Sequence, residues 1–138
     1  MRFLTPIALL GAIAACSEPA EPVTHLDVAK LPTNVTLAVG QAVEVSGTRI
    51  GFDGVNGDSR CAKDVVCVWA GNAEIRVTIG PAVGEGPVHL VTLNTTLEPH
   101  SSDPTYGLVV SLMDLLPYPV STDTARHYRA VLRIERAP

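Results

Sequence analysis

Residues 58–79 read DSRCAKDVVCVWAGNAEIRVTI, and the way this stretch is read decides the fold. In its second half Ala73, Ile75, Val77 and Ile79 alternate with Asn72, Glu74, Arg76 and Thr78. A period of two puts one set on a buried face and the other toward water, the mark of a β-strand. Carried backwards, the same parity places Cys67, Trp69 and Gly71 on the inward side. The indole is therefore expected to be buried beside the cysteine pair, with Gly71 and Ala73 leaving it room or marking a bend.

Working outward, the same alternation recurs. Toward the N-terminus, Val35, Leu37 and Val39 share one face, followed by Val43 and Val45, then Ile50 and Phe52, with breaks at Gly40 and Gly47. Residues 53–63 read as a long polar loop. Beyond residue 79, GPAVGEG turns the chain, and VHLVTL at 88–93 is apolar on both faces, as expected of a well-covered strand. Residues 94–106 form another polar loop. Leu108, Val110 and Leu112 alternate before Pro117 and Pro119 end the run, and the last strand places Tyr128, Ala130, Leu132 and Ile134 inside. About eight short strands with no convincing helical stretch predict an all-β, antiparallel β-sandwich, immunoglobulin-like in architecture.

If successive strands from residue 48 onward simply reverse, loops 53–63 and 94–106 share one end. Loops 80–86 and 117–126 then share the other. The first end is the expected recognition face, because one of its loops carries the cysteine pair. Arg60 is its candidate presented charge. The competing role for Arg60 is a local pair with Asp58 or Asp64.

The formal charge of the 138-residue chain is −4, and without residues 1–15, which hold Arg2 and no acid, it becomes −5. That balance excludes the clustered positive charge of a nucleic-acid footprint. At the N-terminus, Met1-Arg2 precedes a short apolar run, too short to span a bilayer as a helix. It ends in Ile13-Ala14-Ala15-Cys16, which resembles the bacterial lipobox: an aliphatic residue, two small residues and then cysteine. The resemblance implies a signal peptide at 1–15, cleaved to leave Cys16 as an acylated first residue. Ser17 is not the aspartate that usually retains such proteins at the inner membrane, so the outer membrane is the expected destination. Residues 16–33, with prolines at 19, 22 and 32, read as a lipidated linker. Fully extended, it would hold the domain tens of ångströms from the lipid. The domain itself is 34–138.

Lipidation of Cys16 leaves two cysteines. Export places Cys61 and Cys67 in an oxidising compartment, where a structural disulfide is expected. Redox motifs space their cysteines more closely, and no further cysteine completes a thiolate metal site. Asp53, Asn56, Asp58 and Asp64 do not follow calcium-loop spacing and read as turn formers. His25, His89, His100 and His127 show no ligand pair at helical spacing. With neither a nucleophile elbow nor a free-thiol pair in view, no catalytic, cofactor or metal residue is assigned.

The core S-R-C-A-K-D-V-V-C-V-W-A-G, with GLVVSLMDLLPYP and HYRAVLRI after it, resembles a family of small exported bacterial proteins and lipoproteins. They share S-R-C-x-x-D-V-x-C-V-W-A-G and a late L-x-P-Y-P. Members often carry proline where this chain has Ala62. The likeness covers residues 34–135 and implies fold and export, with no catalytic residue to carry over. The expected function is a non-catalytic binding or structural module in the cell envelope. It would meet the membrane through its acyl anchor, and an envelope protein is a candidate partner. A loop-presenting protease inhibitor and a hydrolase with an unrecognised site are the alternatives. Cys16→Ser is expected to abolish labelling by a fatty-acid analogue and to leave the precursor uncleaved at this site; unchanged labelling would refute the lipobox.

Overall fold

The computed structural model describes residues 23–27, 30–96, 100–103, 106–122 and 126–138; the leader expected at 1–15 and the lipidation site expected at Cys16 lie outside them. In chain order the strands are β1 (Val23–Leu26), β2 (Thr33–Ala38), β3 (Ala42–Val45), β4 (Thr48–Asp58), β5 (Ala73–Pro81), β6 (His89–Asn94), β7 (His100–Asp103), β8 (Leu108–Leu116) and β9 (Arg129–Arg136). One sheet runs β1-β3-β4-β5-β6 and the other β2-β9-β8-β7. Every pairing is antiparallel except β1 with β3. The all-β sandwich anticipated from the alternation is what the chain forms.

The core is the sum of the inward faces. From the first sheet come Val43, Val45, Ile50, Phe52, Ala73, Ile75, Val77, Ile79 and Leu93. From the second come Leu37, Leu108, Val110, Leu112, Leu115, Ala130, Leu132 and Ile134. β-Branched residues dominate the face of the first sheet, which suits a pleated surface packed on one side, and leucines that of the second. In β8 the period of two is broken by a bulge between Leu112 and Asp114. The extra residue leaves Met113 exposed and turns Leu115 into the core.

Four elements depart from the sequence reading. Val23–Leu26, assigned to the linker, is strand β1, where His25 lies opposite Glu44 with its Nδ1 3.1 Å from Oε2. The run is short and flanked by prolines, so it carries no periodic signal of its own; a neighbouring edge supplies its hydrogen bonds. Residues 53–58, assigned to a loop, continue β4 across bulges at Phe52/Gly54 and Val55/Gly57. Each bulge resets the parity, so alternation is invisible there. β6 is an edge strand with Leu90 exposed, not a covered one.

The fourth departure reorders the ends. Residues 94–106 contain β7, which pairs antiparallel with β8. One additional strand is one additional reversal, so β8 runs up toward the end where β4 finishes, and the segment after residue 116 emerges there. The loop 117–126, expected beside 80–86, instead has Pro119 accepting the amide of Lys63. Of the loops 53–63 and 94–106 expected to share an end, the part of the second at 94–96 does lie there, where Thr95 and Thr96 bind Asn72 in the arm paired with Ser59 and Cys61. In a urea titration Ile79→Ala should lower stability by about 2–5 kcal/mol. Leu90→Ala, on the exposed face, should stay within about 0.5 kcal/mol.

Candidate functional site

The loop between β4 and β5 is built on a tight stem. Ser59 N donates to Asn72 O at 2.8 Å and Cys61 N to Ala70 O at 2.8 Å, so the two arms remain paired past the strand ends. Gly71 makes that closeness possible. Its φ is +74°, and a Cβ there would lie 1.9 Å from the Ser59 carbonyl oxygen. Above the stem, Cys61 and Cys67 form the expected disulfide, with Cα atoms 5.9 Å apart.

Asn72 joins the stem to the chain leaving β6. Its Oδ1 accepts from the amides of Thr95 and Thr96 at 3.1 and 3.2 Å and from both their hydroxyls, while Nδ2 donates to Asn94 Oδ1 at 2.7 Å. Asp64 anchors the other flank by accepting from the Ser121 amide and hydroxyl. The Ser121 hydroxyl is the main reason that the Asp64 carboxyl is held below its usual range.

Arg60 is where the structure corrects the sequence reading most directly. It is not a presented charge: its side chain is 4% exposed and faces inward from the stem. Nε and Nη2 donate to the two Asp58 carboxylate oxygens at 2.9 Å each. Nη1 donates to Leu115 O at 2.7 Å and Nη2 to Pro117 O at 3.3 Å. Asp114 Oδ1 lies 3.6 Å from Nη1, and the guanidinium sits 4.7 Å from the centre of the Tyr118 ring. The competing local pair with Asp58 is the role that prevails.

Asp58, 2% exposed, also accepts from Tyr128 Oη at 3.2 Å and Arg126 Nη1 at 3.3 Å. Burial alone would push its carboxyl up. The hydrogen bonds and charge of Arg60, joined by the Tyr128 hydroxyl, outweigh that and hold it below the usual 3.8. β4 is thereby tied to the exit of β8 and the start of β9, across both sheets.

What the loop presents instead is apolar. Val66 is 102% exposed, Val68 87% and Trp69 81%, with Val65 beside them at 48%. The buried indole expected from parity is thus in solvent. The inward face of β5 begins at Ala73, and Gly71 turns the arm out of the sheet before Trp69 is reached. The signal for this lay in Gly71, read only as space for the ring. The cavity beneath the stem, between Ala70, Thr95 and Met113, holds about 140 Å³. It is smaller than the ~300 Å³ at which small-molecule sites begin.

The four Asx residues weighed for calcium are dispersed. Asp53 accepts from Thr78 Oγ1, Asn56 pairs with Glu74, and Asp58 and Asp64 are engaged as above. Among the described residues no three His, Cys, Asp or Glu side chains are grouped to hold a metal ion. Comparison with protein-family models, curated proteins and solved structures returns no match.

The Asp58–Arg60 pair has a measurable pH signature. Because the folded carboxyl is depressed, its stabilising contribution is complete above pH 3.8 and is lost as pH falls through the lower folded value. Arg60→Ala strands a buried carboxylate and should cost about 3–5 kcal/mol at neutral pH. In urea titrations across pH, the deficit should narrow in acid as Asp58 protonates. A deficit independent of pH would mean that Arg60 acts by packing alone.

Proposed function

We propose that this chain is a lipid-anchored envelope protein whose sandwich is a non-catalytic binding module, and that the stapled loop is its contact surface. One observation carries the reading: an indole and neighbouring valines stand in solvent on a loop whose base is fixed by a disulfide, a buried ion pair and the Asn72 hub. A folded chain gains about 1.5–3 kcal/mol by burying one large apolar side chain. Here that gain is forgone several times over in one place, as at surfaces kept for a partner. A rigid base reduces the ordering cost of binding. The lipobox and the resemblance to exported proteins support the location.

A protease inhibitor presenting the same loop is the second reading, favoured by the cross-link that fixes the Cys61–Cys67 arc in one shape. Dose-dependent inhibition across a protease panel would select it. For the leading reading, a photo-crosslinking amino acid is placed at Val66 or at Val83, which is 88% exposed near the opposite end. In intact cells an adduct, of protein or lipid, is expected at position 66 and not at 83. Adducts only at 83 would move the contact surface to the other end of the sandwich.

A further inference from the structure

Strand β1 begins on the side of the end that carries the exposed tip. β1 is parallel to β3, β3 is antiparallel to β4, and β4 finishes at the stapled loop. Val23 is therefore the end of β1 nearer the loop, and the strand runs away from it. Val23 is level with Ala42 and, through it, with Gly51. From Gly51 to Asp58 the sheet rises about 17 Å, at ~3.3 Å per residue less the two bulges. Only residues 17–22 separate Cys16 from Val23. That length of chain spans at most about 25 Å. A membrane holding Cys16 thus lies within about 25 Å of Val23, a reach that includes the end where β4 finishes. The tens of ångströms of clearance expected from a 16–33 linker are gone, because β1 consumes the linker's second part.

The chemistry of that end suits a bilayer surface. Trp69 has the amphipathic ring that collects at membrane interfaces, with Val66 and Val68 beside it to enter the acyl boundary. Lys63 and Arg129 are exposed cations at the same end, placed to meet anionic headgroups. The acids among its described residues are engaged: Asp58 by Arg60, Asp64 by Ser121, Glu74 by Asn56, and Asp114 lies beside Arg60.

Resting on the lipoprotein reading above, we infer that the Val66–Val68–Trp69 tip inserts into the headgroup boundary of the same bilayer that holds the Cys16 acyl chains. The sandwich is then held by two points, one covalent and one a wedge, and its orientation on the membrane is fixed.

Trp69 is the sole tryptophan of the chain, so its emission reports the tip directly. The acylated full chain is reconstituted on the outside of phosphatidylethanolamine–phosphatidylglycerol vesicles, with and without lipids brominated on the acyl chains. Emission should shift to shorter wavelength than in an unacylated chain that begins at Ser17, and the brominated lipids should quench it. A Val66→Asp, Val68→Asp variant should keep its circular dichroism and still float with vesicles through its anchor, but lose the shift and most of the quenching. Wild-type chain that floats while Trp69 emits as in water would overturn the insertion and leave the lipoprotein reading standing, with a protein as the loop's partner. Acylated chain that fails to float would overturn both.

Discussion

The loop end of this sandwich depends on one buried interaction, the fork between Asp58 and Arg60. Removing a carboxylate and a guanidinium from water costs several kcal/mol per ion, and Coulomb attraction repays it only when the remaining donors are satisfied. Here they are satisfied by segments of the sheet opposite β4. The carbonyls of Leu115 and Pro117 accept from Arg60, and the Tyr128 hydroxyl and Arg126 donate to Asp58. Displacing β4, the exit of β8 or the start of β9 would leave part of a charged group without its partner. The pair contributes less as net stabilisation than as a condition on geometry: these three segments must meet in one way.

That clamp explains how a short loop can carry apolar residues into solvent without collapsing onto the protein. The stem is paired through Ser59–Asn72 and Cys61–Ala70, Gly71 turns outward, and the disulfide closes the arc above. Trp69 lies beyond the outward turn at Gly71, and the inward side of the stem is taken by Arg60, whose guanidinium sits 4.7 Å from the Tyr118 ring. The tip is therefore preorganised, and the free energy of hydrating it is a standing cost that contact with an apolar phase would relieve.

The ends of the sandwich acquire their character from a single short strand. With β7 in place, the chain after β8 comes out beside the stapled loop, so that 58–72, 94–96 and 117–121 form one surface tied by Asn72, Asp64 and Arg60. The opposite end has turns at 46–47 and 82–88 and no cross-link among its described residues. The asymmetry is one of rigidity as much as of composition.

Much of this was legible in the sequence. Alternation in 72–79, 108–112 and 128–134 fixed the inward residues of three strands, because a pleat sends neighbouring side chains to opposite faces whatever the partner. Setting Cys16 aside as the expected lipidation site left Cys61 and Cys67 to pair, as they do. Counting reversals placed loops 53–63 and 94–106 at one end, which holds for 94–96, and put 117–126 at the wrong one. What tertiary structure alone decided lies where that local rule is interrupted. Bulges in β4 and β8 reset the parity, so Asp58 joined a strand and Leu115 entered the core. β1 and β7 are too short and polar to announce themselves, and exist because a neighbouring edge supplies their hydrogen bonds. Arg60 and Trp69 exchanged places, charge inward and indole outward. Burial of a charge is settled by partners far along the chain, here at 114–118 and 126–128, and exposure of a ring by a positive φ two residues away; neither is written in the spacing of the residues themselves.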